Sequence, residues 1–190
     1  MIRIDKNLEN RVCQGDLIRD VEFIEYAEII SGEIEISKII FPVVIVLTQD
    51  CDLEQDFNNR LKNEQKASAN QDKYLISTLV APVYNIEQFY DGDHLSELGL
   101  KMQTISKKES KTDNRFLRQN QNPRYHYLQF PDDFPLPNSV IDFKHYFTAN
   151  LQYLRKIKPT HFIGKVSELY RESISHRFAS FLARIGLPST

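Results

Sequence analysis

The chain has 190 residues, 41% hydrophobic and 26% charged, with a formal net charge of -2. That balance suits one folded domain with a real core. It excludes wholesale disorder and a protein held to nucleic acid by its global field. Two cysteines, Cys13 and Cys51, without CxxC spacing, exclude a disulfide framework and a zinc ribbon.

The first residues, MIRIDKNLENRV, carry neither an apolar signal core nor an Arg/Ser-rich transit pattern. No apolar run approaches the roughly 18 residues needed to span a bilayer. The expected setting is cytoplasmic and reducing, without membrane contact.

In chain order, Gly15-Asp16 reads as a turn. VEFIEYAEII (21–30), Ser31-Gly32 and EIEISKII (33–40) then read as a hairpin. Ile34 and Ile36 alternate with Glu33 and Glu35, the period of a half-buried strand. Pro42 is expected to separate the hairpin from VVIVL (43–47), whose β-branched run fits a central strand covered on both faces. Glu54 to Gln71 is polar and reads as an excursion. Strand signal returns over Lys73 to Ala81, and a short helix fits Ile86 to Leu98. Lys101 to Asn122 reads as a basic loop. Tyr125 to Phe130 and Val140 to Phe147 look like strands, divided by the proline-punctuated PDDFPLPNS. From Glu168 to Ile185, Leu169, Tyr170, Ile174, Phe178, Phe181, Leu182 and Ile185 fall on one helical stripe. Ser167 is placed to cap its start, Gly186 its end, and Pro188 prevents continuation.

The chemistry concentrates in VVIVLTQDCDLE. If the strand runs on past Leu47, Asp50 and Asp52 share one face and Cys51 takes the other. Flanking carboxylates disfavour a thiolate, so Cys51 reads as a small buried structural residue. Asp50 and Asp52 are candidate catalytic carboxylates that could share a divalent ion, although no cofactor or resident metal is expected. Arg177 lies inside the apolar stripe of the final helix and needs a partner. Its expected role is to fork onto Asp50 or Asp52, fastening that helix to the end of the sheet. Lys107, Lys108, Lys111, Arg115, Arg118 and Arg124, with aromatic residues interleaved in NRFLRQNQNPRYHY, form a candidate nucleic-acid-binding segment. The five histidines show no metal-ligand spacing, and no phosphate loop or nucleophile elbow is present.

Together QGDL, VVIVLTQDCDL and HRFASFLARIGLP resemble a group of small bacterial proteins of uncharacterised activity, which carry a QGDI, a strand-end Cys-Asp pair and an RFA-x4-RIGLP tail. More distantly, Gly15-Asp16-Leu17, Pro42-Val43-Val44 and the strand ending in Ala81-Pro82 resemble the layout of PemK/MazF-like toxins. That resemblance implies an α+β fold: a small, mostly antiparallel SH3-like barrel with a C-terminal amphipathic helix. It is expected as a single domain over residues 1–190, with a barrel core at about 12–84 and 123–150, an insertion at about 101–122 and a helix at about 167–186. Those toxins keep an arginine before the proline and polar catalytic groups after the core strand. Here Phe41 stands at the first position and Thr48 with Gln49 at the second, leaving Arg19 or Arg177 to supply a cation.

The leading functional expectation is an RNA-interacting module of a bacterial toxin-like or defence-related protein, with catalysis left open. A non-enzymatic protein-interaction module that docks on a partner encoded nearby, and a metal-dependent hydrolase at Asp50 and Asp52, are the alternatives. Oligomeric state is open between monomer and homodimer.

Overall fold

A computed structural model describes residues 1–65 and 69–184. In chain order the strands and helices are β1 (Ile4–Asp5), β2 (Asp16–Ile30), β3 (Glu33–Val46), α1 (Asp50–Glu64), β4 (Ser77–Asn85), α2 (Ile86–Asp91), α3 (Thr112–Arg118), β5 (Tyr125–Leu128), β6 (Ser139–Asp142), β7 (Phe147–Asn150), α4 (Leu151–His161), β8 (Phe162–Val166) and α5 (Glu168–Leu182). The fold is α+β with an antiparallel, strongly curled half-barrel sheet. No helix among the described residues is long and apolar enough to cross a membrane.

The described chain divides into two compact units, one of Ile4–Pro82 with Tyr146–Lys165, the other of Met1–Arg3, Val83–His145 and residues 166–184. In the first unit the strand order is β1-β8-β2-β3-β4, with β7 also paired to β4. The expected hairpin is present. Ser31 (φ 54) and Gly32 (φ 86) are both left-handed, as a two-residue turn between right-twisting strands requires. Pro42 does not divide it: β3 runs straight through to Val46. The ladder skips the position of Pro42, where proline has no N–H to give and Asp20 opposite turns left-handed (φ 54), and its register shifts once more at a bulge on Glu25. Ile18, Val21, Phe41, Val44, Val46, Val80, Phe147 and Ala149 of the sheet pack with Val12, Leu53, Leu151 and Leu154.

Two helices of this unit were not legible in sequence. The region expected as a polar excursion begins with α1, a helix that buries only Leu53 and Asp56, too sparse a stripe to show as a period. Asp56 earns its place by accepting Arg60 Nε at 2.9 Å and the Leu75 amide at 2.7 Å. In α4, Leu151, Leu154 and Lys158 are the buried residues and Pro159 sits inside the helix, so a lysine and a proline disguise its stripe. The Asn150 side chain caps it by accepting from the Tyr153 amide.

In the second unit the C-terminal half of β4 pairs with β6, and β6 with β5. Tyr84, Ile86, Phe89, Tyr90, Leu95, Leu117, Tyr127 and Val140 form its core. The stretch expected as one strand over Val140 to Phe147 is broken by a 3-10 turn at Phe143–His145. The basic loop contains α3, whose Asn114 and Leu117 are buried. Helix α5 buries Ile174, Phe178 and Phe181, with Phe143 meeting Phe178 and Phe181 at ring-centroid distances of 5.5 and 6.0 Å. Leu169 and Leu182 are exposed, so the stripe is narrower than its sequence suggests. Ser167 takes the cap position without a side-chain cap bond. Ile185, Gly186 and Pro188 lie outside the described residues.

Candidate interaction surface

Arg177 and the two aspartates fall in different compact units, and Arg177 and Asp50 each take partners within their own. Arg177 Nη2 donates to the carbonyls of Asn122 (2.7 Å) and Tyr125 (2.8 Å), and burial lowers the pKa of its guanidinium. Asp50 is held by Arg11, Nη1 to Oδ1 at 2.9 Å and Nη2 to Oδ2 at 2.8 Å, and it also accepts the Gln14 amide at 3.0 Å. The reason is local: the strand stops at Val46 and residues 50–52 form the first turn of α1. Two residues apart on a helix are about 200° apart around its axis, so Asp50 and Asp52 cannot face one ion. No group of three His, Cys, Asp or Glu suited to a metal occurs among the described residues.

Cys51, expected to be buried, is exposed at the helix start, and Cys13 is the buried thiol. Thr48 Oγ1 accepts the Leu79 amide at 2.7 Å and bonds Thr78 Oγ1 at 2.6 Å, tying the end of β3 to β4. That is a structural position, reached by satisfying a backbone donor where the ladder ends.

Around Arg11 lies a polar knot that the sequence did not reveal. Gly15 (φ 83) closes a turn in which the Asp16 amide donates to the Cys13 carbonyl at 3.1 Å. The Cys13 amide donates to Asp16 Oδ2 at 2.7 Å, and Lys158 Nζ reaches the same oxygen at 2.7 Å and the Arg11 carbonyl at 2.5 Å. Burial raises the pKa of Asp16 against the pull of Lys158, and burial pushes the Cys13 thiol up to about 12. Such a thiol is a poor nucleophile, and Lys158 is only 3% exposed. The QGD and QDCD motifs are therefore joined by charge-assisted bonds that hold the start of β2 against the start of α1. The only sequence signal was the Gly15-Asp16 turn, because Arg11, Gln14 and Lys158 look like ordinary surface residues.

The predicted nucleic-acid contacts divide in two. Lys107 bridges Glu87 (2.9 Å) and Asp91 (3.1 Å), and Arg118 meets Glu109 at 2.5 Å. Arg124 grips the fully buried Asp142, Nε to Oδ1 at 2.8 Å and Nη2 to Oδ2 at 2.5 Å. Lys108, Lys111 and Arg115 are exposed and form no ion pair with an acid among the described residues. Beside Asp142, His145 Nδ1 lies 3.0 Å from the Tyr84 hydroxyl, and His94 stacks on Phe89 at 4.5 Å. Burial, with His145 second, lowers the His94 pKa to about 4.

The hairpin leaves several large apolar side chains uncovered. β2 meets β8 only at Asp16–Ile18, and β3 meets β4 only at Val44–Val46, so residues 22–40 form a ribbon with no third strand. Directly paired residues share a face. Ile29 pairs Ile34, Ala27 pairs Ile36, Ile24 pairs Lys38 and Glu22 pairs Ile40, and these alternate positions of β3 place all eight on one face. The other face carries Phe41, Ile39 and Phe23 onto the core at its base, and Tyr26, Glu28, Ile30, Glu33 and Glu35 further out. The apolar face is the outer one: Ile24, Ile29, Ile34, Ile36 and Ile40 are 58, 74, 71, 57 and 48% exposed. The alternation expected to mark a half-buried strand is present, with its isoleucines turned to solvent.

No protein-family model, curated protein or solved structure matches this chain.

Proposed function

We infer that the chain is a non-enzymatic interaction module that docks on another protein through the outer face of the β2–β3 hairpin. One observation carries this reading: five large β-branched side chains lie together, exposed, on one face of a ribbon. Two strands alone are marginal in water, and a contiguous apolar face of this kind is normally covered in use. Roughly 500 Å² of apolar side chain at about 25 cal/mol per Å² gives on the order of 12 kcal/mol before the cost of association.

The layout also supports the SH3-like, PemK/MazF-like reading of the first unit. Gly15-Asp16-Leu17 opens β2, a two-residue turn follows, Pro42-Val43-Val44 lies in β3, and Ala81-Pro82 in β4. An RNA-directed role in a toxin-like or defence setting retains support from Lys108, Lys111 and Arg115. Charge reversal at those three should weaken RNA binding and flatten its salt dependence if they are the contact.

The docking reading is tested in the native host with a photo-crosslinking amino acid replacing Ile34, and the same group replacing the exposed Lys62 of α1 as control. The expected result is a discrete protein adduct from position 34 and none from position 62. No adduct, or one to RNA, would remove the reading.

A further inference from the structure

We propose that the occupant of the hairpin's outer face is a second copy of this chain, docked ribbon to ribbon about a two-fold axis; the inference rests on the docking function above. Charge is the first argument. The chain from residue 22 to 40 carries Glu22, Glu25, Glu28, Glu33 and Glu35 against Lys38 alone, a sign that by itself calls for a basic partner. On the outer face, however, the only charges are Glu22 and Lys38, and they pair with each other at 2.6 Å. Glu28, Glu33 and Glu35 take the reverse face with Ser37, whose hydroxyl donates to Glu25 at 2.8 Å. The docking face is thus neutral and does not repel itself, and two such faces in contact leave the acids outward in water.

Shape is the second argument. Along the isoleucine ridge the small residue is Ala27, set directly across from Ile36 near the middle of the patch. A two-fold axis through that pair seats Ile36 of each copy over Ala27 of the other. That axis runs parallel to the strands, so it also brings Ile29 of one ribbon onto Ile34 of its partner at the same end. Such a contact is self-complementary, as an isologous interface requires.

Area is the third. The five isoleucines expose roughly 500 Å² per copy, so two faces bury roughly 1,000 Å², the lower bound of a specific interface. An interface at that bound is of the weak class, so we set the expected dissociation constant on the order of micromolar to tens of micromolar.

The test is sedimentation of the purified full chain across a range up to roughly 300 µM, well above such a constant. The weight-average mass should climb from the 22.3 kDa of one chain towards twice that value. Ile36→Thr and Ala27→Arg should each weaken association tenfold or more. Both positions are exposed, so far-UV circular dichroism and the melting temperature should stay as in the parent. A mass that stays at one chain throughout overturns the proposal, as does a dimer indifferent to both substitutions. If the purified chain is monomeric while position 34 crosslinks in cells to a protein of another mass, the second copy is wrong and the docking function stands. If position 34 crosslinks to nothing, both fall.

Discussion

Ile29 sits directly across from Ile34 next to the hairpin turn, and the two side chains are 74 and 71% exposed. Neither touches the core of its own unit, so their retention as isoleucine adds little to the folded monomer. Replacing both with threonine keeps β-branched strand formers in place. The melting free energy should therefore change by no more than about 0.5 kcal/mol, while self-association and binding of an apolar dye fall sharply. A loss of several kcal/mol on denaturant unfolding would mean that the face is part of the core.

Lys158 and Asp16 form the most buried charge pair of the first unit. Lys158→Met leaves Asp16 without its counter-ion at a site where burial already raises its pKa, and should destabilise by about 3–5 kcal/mol. Adding Asp16→Asn to it should recover part of that loss, because the uncompensated charge is removed. Additive losses in the double-mutant cycle would show that the two side chains do not depend on each other.

How far these features were legible follows from their physics. The hairpin could be read because Ser31-Gly32 supplies the turn and the alternation supplies the strands. Alternation reports that a ribbon has two unlike faces, not which one meets the core. Here Phe23, Ile39 and Phe41 at the base put the core on the opposite side from Ile34 and Ile36. Asp50-Cys51-Asp52 was misplaced because a strand end and a helix start look alike when the residue before them, Gln49, is no capping type and the helix buries so little. The Arg11–Asp50 grip joins residues 39 apart, and a single sequence carries no trace of such a pairing. Arg177, a cation inside an apolar stripe, needs acceptors. It found them in two backbone carbonyls of its own unit rather than in a carboxylate.

Arg177→Ala should cost about 1–3 kcal/mol, since the carbonyls of Asn122 and Tyr125 lose a charged donor. Arg177→Lys should restore part of this through one of the two bonds. Chemical denaturation of the three proteins measures it, and equal stability of all three would contradict the role.

Three histidines of the second unit are held neutral. Burial lowers His126 to about 3, His94 to about 4, and His145 in the same direction against the attraction of Asp142. The unfolded chain titrates these groups near their ordinary value of 6.5. Between that value and about 4 it therefore binds more protons than the folded one. Stability from these residues is complete above pH 6.5 and is lost as pH falls through the folded values. His126, only 5% exposed, should account for about 2–4 kcal/mol of that loss. His126→Phe should flatten the acid limb of the melting profile, and an unchanged limb would contradict the assignment.

The central claim is that the isoleucine face is covered when the protein works. Isoleucine-methyl NMR of the labelled chain in host extract, with a soluble paramagnetic relaxation agent, tests it most directly, because Ile76 is 88% exposed and serves as an internal standard. The account predicts that the methyl groups of Ile24, Ile29, Ile34, Ile36 and Ile40 broaden far less than that of Ile76. Broadening equal to that of Ile76 at all five positions would contradict it.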